Sequence, residues 1–163
     1  MNRAVNIHAI SIPDDVFSGW QQSVDLIAQI CNIPASLIMR LRTHELEVCV
    51  SSQTDYNPYH AGDKEALGKG LYCETVIKEN AELLVPNALI DPIWDHNPDL
   101  PLGMISYCGL PLSWPSGEPF GTICLLDNKE NPYNKQQRQL LSRFQKAVEA
   151  SLTILYQKSE LQH

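Results

Sequence analysis

Five cysteines (Cys31, Cys49, Cys73, Cys108, Cys124) and five histidines (His8, His44, His60, His96, His163) carry most of the chain's capacity for chemistry. Their spacing restricts it. No two cysteines form a CxxC. No histidine has another at i+3 or i+4, and none lies at ligand spacing from a cysteine, so no metal site is expected. An odd, widely spaced set of thiols, most of them inside apolar runs, reads as reduced cysteines packed in a core. A Gly-rich phosphate loop and a Ser-centred nucleophile elbow are both missing. Gly68-Lys69-Gly70 is too short for either and lends backbone freedom to the segment after it.

The other candidates gather around one stretch. Asp91, Asp95 and His96 flank Trp94. A carboxylate or imidazole there could bond a ligand amine or hydroxyl. The same residues also suit a loop, with Asp91-Pro92 opening a turn and Asp95 capping one. A haem would need a buried histidine, for which His60 and His96 are the candidates. Tyr72, Trp94, Tyr107 and Trp114 could stack on a planar ligand while their polar tips orient it, or they could fill the core.

The elements that must position these residues are legible from periodicity. Apolar residues at Val16, Phe17, Trp20, Val24, Ile27, Ala28 and Cys31 follow a period of about 3.6, which predicts an amphipathic helix ended by Asn32-Ile33-Pro34. Ala35–Leu41 and 46–52 read as paired strands, with Gln53–Ala61 a polar loop. Leu71–Glu79 is a short helix stopped at Asn80. Leu83–Val85 is a short strand. Ala88–Gly103 contains three prolines and reads as irregular, with Ile93 and Trp94 as apolar anchors. A loop that long is usually functional or disordered. Met104–Leu112 and Phe120–Leu126 are strands joined by a turn at Trp114-Pro115-Ser116-Gly117. Apolar residues on both faces of the second imply a central strand. From Asn134 a helix carries two rows. One is Leu140, Phe144, Ala147, Ser151, Ile154, Lys158 and Leu161; the other is Leu141, Val148, Leu152 and Leu155. One row can cover the domain while the other meets a partner helix. Residues 1–12 read as a tail and 13–163 as a single domain.

Composition bounds the function. The chain has 163 residues and is 44% hydrophobic, enough for one domain with a full core. Its net charge of −7 argues against nucleic acid and anionic membrane as partners. No apolar run approaches the ~18 residues needed to span a bilayer, and no secretory leader is evident, so a cytoplasmic location is expected.

Helix, two strands, loop, short helix, strand, long loop, strand, turn, strand and long helix together imply an α+β sandwich around an antiparallel sheet. Within that order, Gly70-Leu71-Tyr72-Cys73-Glu74-Thr75-Val76, Asp91-Pro92 and Gly121-Thr122-Ile123-Cys124-Leu125-Leu126-Asp127 closely resemble the middle and end of a GAF domain. The resemblance covers about Val16 to Leu155 and is strongest to GAF domains of bacterial sensory proteins that precede histidine kinase or diguanylate cyclase output domains. It implies a GAF-like antiparallel sheet with the terminal helices on one face and a ligand pocket of loops and short helices on the other. It places the pocket at Leu71–Ile77, Ala88–Gly103 and inward residues of Met104–Leu112. Tyr72, Cys73, Asp91, Trp94, His96 and Tyr107 are then the expected ligand-binding residues. It also implies a homodimer through the terminal helices, and the helical character of residues 159–163 leads one to expect an output domain beyond them.

The ligand itself stays open. Cyclic-nucleotide GAF domains carry an Asn-Lys-Phe-Asp-Glu signature, and Asp127-Asn128-Lys129-Glu130 does not match it. The bilin-attachment motif is also missing. Two other functions fit the fold. One is a dimerisation scaffold whose pocket is filled by Tyr72, Trp94 and Tyr107; a cavity above ~300 Å³ would favour sensing instead. The other is a free methionine sulfoxide reductase. Such an enzyme needs a thiolate and a resolving thiol, for which Cys73 and Cys108 are the candidates, although Glu74 disfavours a thiolate at Cys73.

Overall fold

The computed structural model describes residues 5–162. The period-3.6 stripe forms α1 (Asp14–Cys31), which buries Trp20, Val24, Ile27 and Ala28. Asp14 and Asp15 lie in its first turn, where they complement the positive end of the helix dipole. Asn32 ends it in the left-handed region (φ 54°), its N–H bonded to the Ala28 and Gln29 carbonyls. The strands are β1 (Ala35–Leu41), β2 (Glu45–Ser51), β3 (Lys64–Ala66), β4 (Leu83–Val85), β5 (Ser106–Ser113) and β6 (Pro119–Asp127). α2 (Tyr72–Glu79) stops at Asn80, again left-handed at φ 49°. α3 (Lys135–Leu161) opens on a capping box between Asn134 and Gln137.

All strand pairs are antiparallel, in the order β3-β2-β1-β6-β5-β4. β6 is therefore interior, as its two apolar faces require. Side-chain alternation divides the core in two. On one face, Ile38, Cys108, Leu110, Ile123 and Leu125 meet α1 and α3. On the other, Leu37, Met39, Tyr107, Cys124 and Leu126 meet α2 and the long loop. A bulge between Ile38 and Met39 lets β2 contribute Leu46 and Val48 to the second face but Val50 to the first. On α3 the row Leu141, Val148, Leu152 and Leu155 is buried, while Ile154 and Leu161 stay exposed. Each buried aliphatic in that row contributes about 1.5–3 kcal/mol to holding the helix on the sheet.

Two local expectations are corrected, and one element is added. Residues 5–12 are not a loose tail: Ile7, Ile10 and Ile12 are buried against α1 and the sheet. Arg40, buried on β1, also ties the segment down, donating to the Ile7 and Ile10 carbonyls at 3.0 and 2.9 Å. Residues 1–4 of the expected tail lie outside the described residues. After the polar loop Gln53–Ala61 comes the short edge strand β3, in a segment that no apolar alternation marks. In the long loop Trp94 is buried, but Ile93 is 80% exposed and anchors nothing.

Candidate functional site

Four of the six expected site residues do converge on the α2 face of the sheet. Tyr72 and Cys73, at the start of α2, are buried together with Trp94 and Tyr107. The Tyr72 ring stacks on Tyr107 at 4.7 Å between centroids and 22° between planes. Trp94 lies 5.2 Å from Tyr72 on a tilted plane. Gly109 makes room for this stack, since a Cβ there would fall 2.1 Å from the Tyr107 hydroxyl. The rings fill the space between α2 and β5, so they form a wall of the site and leave no gap between themselves for a planar ligand.

The other two lie elsewhere. The His96 side chain is 96% exposed and sits 3.4 Å from the Asp95 carboxylate. The Asp91 carboxylate accepts the Ile93 N–H at 3.0 Å, which is turn chemistry. Both reside on the outer side of the loop, because Trp94 and Asn97 take the inward positions. Trp114 lies on the helix face of the sheet, edge-on to Phe120.

The open space lies next to the aromatic wall. A cavity of about 280 Å³ runs between β1–β2, the 58–65 segment, Leu71 and the 98–102 segment. A small extension of about 30 Å³ shares Met39, Leu46, Tyr59, Leu71 and Asp99 with it and reaches Cys73, Tyr107 and Cys124. Met39, Leu46, Val48 and Leu71 make its walls largely apolar. Exposed Asp63, Lys64 and Glu65 form its mouth. A larger groove of about 480 Å³ by Asn32, Thr54 and Asp127 lies at the end of the sheet. The carboxylate of Asp127 is turned inward there, with Oδ1 sealed from solvent.

Asp99 is the polar centre of the cavity, and the sequence reading passed over it and Tyr59. Asp99 is 8% exposed, and the Tyr59 hydroxyl donates to its Oδ1 at 2.7 Å. Its backbone is held in place. The N–H donates to Asn97 Oδ1 at 2.9 Å, and the carbonyl accepts from Leu102 and Met104. Burial, and then the nearby charge of Glu65, push the Asp99 carboxyl up to about 6, against the Tyr59 hydrogen bond. Burial and the Asp99 charge push the Tyr59 hydroxyl far upward.

The thiols are arranged differently from expectation. Cys73 and Cys124 share the cavity face, whereas Cys108 lies on the helix face. Tyr107 and Cys108 are neighbours on one strand and cannot both face the pocket. Cys73 Sγ receives the Thr122 hydroxyl at 3.3 Å and lies 3.3 Å from the Tyr107 hydroxyl. Hydrogen bonds from Cys124, Thr122 and Tyr107 draw the Cys73 thiol down against the effect of burial. Burial and the neighbouring Cys73 push Cys124 well up. Any thiolate of this pair therefore resides on Cys73. Among the described residues no group of three or more His, Cys, Asp or Glu is arranged to hold a metal ion, and no helix is long and apolar enough to cross a membrane.

Comparison with known proteins agrees with this architecture. The GAF domain of an Acinetobacter phosphoenolpyruvate-protein phosphotransferase superposes with a TM-score of 0.67 at 14% identity, covering 84% of this chain and 81% of that one. The phycocyanobilin-bound GAF domain of a cyanobacterial phytochrome gives 0.71 at 10% identity, covering 91% and 87%. A free methionine-R-sulfoxide reductase from Neisseria meningitidis, in complex with its substrate, gives 0.70 at 12% identity, covering 94% and 84%. At these identities the likeness concerns the fold. No curated protein matches the sequence. The GAF domain family model matches residues 20–152, and with the sheet order, the two-faced core and the loop-enclosed cavity, it makes this chain a member of the GAF domain family.

Proposed function

We propose that the chain is a small-molecule-sensing module of a signal-transduction protein, acting in the cytoplasm as a homodimer. The observation that carries this reading is the 280 Å³ cavity with a buried carboxylate in its wall. Its volume falls just under the ~300 Å³ at which small-molecule sites begin, so the buried carboxylate rather than the size carries the reading, and it suits a ligand smaller than a typical drug. A ligand there would touch β1, β2, Leu71 at the entry to α2 and the 98–102 segment at once. It would favour the arrangement of these elements that it fits better, and the population would shift accordingly. β1 and β6 lie between the cavity and the terminal helices, so a shift of the sheet reaches α1 and α3. Exposed Leu26 and Ile30 on α1 and Ile154 on α3 offer these helices apolar surface for pairing with a second copy, and an output domain would follow from α3. Native mass spectrometry of the purified domain tests the reading. A bound small molecule released on unfolding supports it. A bare mass, together with α1 and α3 geometry unaltered by any added ligand, would favour the scaffold, in which the Tyr72–Tyr107–Trp94 stack is only packing.

A second reading rests on the thiol pair. Cys73 and Cys124 at the inner end of the cavity provide a hydrogen-bonded sulfur and a neighbouring thiol, as reduction of a small sulfoxide requires. Loss of one equivalent of free methionine sulfoxide incubated with the reduced protein, with a Cys73–Cys124 disulfide and water formed, and abolished in Cys73→Ser, would establish it; Cys124→Ser should still consume one equivalent and stop at a sulfenic acid. No turnover by the wild type removes it.

A further inference from the structure

Burying a carboxylate with a single neutral donor is costly, because desolvation weakens the charged form and nothing of opposite sign offsets it. Asp99 is in that position. Its Oδ1 accepts from Tyr59, while Oδ2 has no hydrogen-bond partner among the described residues and is not sealed from solvent. Loop geometry does not account for it: the side chain makes no capping bond to the 3-10 turn at Leu100–Leu102, and the turn is held by the Asp99 backbone and the Asn97 amide. No arginine or lysine pairs with it among the described residues. The nearest cation in the cavity wall, Lys64, lies 3.7 and 3.8 Å from Glu45 and Glu47. At the mouth Glu65 is paired with Lys69 at 3.5 Å and Asp63 lies 3.6 Å from His60, so neither lysine is left over for Asp99.

We propose that this cavity binds a small organic cation, a protonated amine on a short apolar body, with the ammonium on Asp99 and the body against Met39, Leu46 and Leu71. The proposal rests on the sensing reading and specifies its ligand class. An ammonium supplies what the free carboxylate oxygen lacks, and the chain's net charge of −7 favours cations over anions in its surroundings. The volume of about 280 Å³ admits roughly ten non-hydrogen atoms, at the liquid-water share of about 30 Å³ each. Hexylamine, hexan-1-ol and hexanoate fit that limit and differ only in the head group.

Isothermal titration of the whole chain at pH 7.5 with these three compounds tests the assignment. Hexylamine should bind about 10- to 100-fold more tightly than hexan-1-ol, the usual margin for a charge-assisted hydrogen bond, and hexanoate should bind weakest. Asp99→Asn should erase the preference for the amine and leave hexan-1-ol binding in place, which also reports that the variant is folded. Asp91→Asn, outside the cavity, should change nothing. Amine affinity should fall as pH drops through about 6, where Asp99 takes up its proton. Equal or tighter binding of the alcohol or the acid, or an amine preference that survives Asp99→Asn, overturns the cation assignment and leaves the sensing reading standing. Failure of all three to bind overturns both for this cavity.

Discussion

Asp99 links the cavity to folding stability. Its carboxyl titrates near 6 when folded and near 3.9 when unfolded. Below pH ~4 both states are protonated, and the group costs nothing. Between about 4 and 6 the unfolded chain ionises first, so stability falls as pH rises. Above pH ~7 the loss is complete, on the order of 3 kcal/mol. Urea unfolding at pH 4 and pH 7.5 should therefore show Asp99→Asn gaining about that much relative to the wild type across the interval. An unchanged difference would mean that the carboxylate is better solvated than its burial implies. The thiols make a second residue-scale test. Cys73, Cys108 and Cys124 are buried, burial raises the half-exposed Cys31, and it pushes Cys49 up to about 12. A thiol reagent at pH 8 should react slowly with the native chain and reach all five cysteines only on unfolding. Rapid native reaction at Cys73 would instead favour the reductase reading.

At the scale of elements, the join between the N-terminal segment and the sheet depends on one side chain. The Arg40 guanidinium lies 5.2 Å from the Phe120 ring centroid and 6.0 Å from that of Trp114 while it holds two carbonyls of residues 7–10. Arg40→Met keeps much of the apolar stem but removes both hydrogen bonds. We expect a loss of about 1–3 kcal/mol and faster amide exchange confined to residues 5–12. Exchange unchanged there would show that Ile7, Ile10 and Ile12 hold the segment unaided. This element was misread as a tail because its three isoleucines follow neither a strand nor a helix period. By contrast α1, α3 and the four longer strands were legible, since each buries one face or both against a layer and records that burial as a period. β3 was not, because its three residues are exposed and are held to β2 by backbone pairing and surface ion pairs rather than by a buried face.

At the scale of the whole molecule, the sheet separates two tasks. α2 and the loops enclose the cavity on one side, and α1 and α3 cover the other. The proposed pairing through those helices predicts that Ile30→Glu combined with Ile154→Glu converts a dimer to a folded monomer. Both side chains are more than half exposed, so neither substitution disturbs the core. Sedimentation velocity with circular dichroism reads both outcomes. A wild-type monomer at tens of micromolar would refute the pairing.

The sequence by itself determined the order of the longer elements, the central place of β6 and the family. Each of these is recorded locally, in periods, turns and short motifs. Strand alternation could also have separated Cys108 from Cys73, because Tyr107 and Cys108 are adjacent on one strand. What only the tertiary structure decided is the polar centre of the site. Tyr59 and Asp99 stand 40 residues apart in two segments without a period, and Asp91, His96 and Asp99 look alike along the chain. Inside one irregular loop, Trp94 and Asn97 packing inward turned Asp99 into the cavity and His96 into solvent. That choice depends on the fit of the loop to the sheet, which no local pattern of residues encodes.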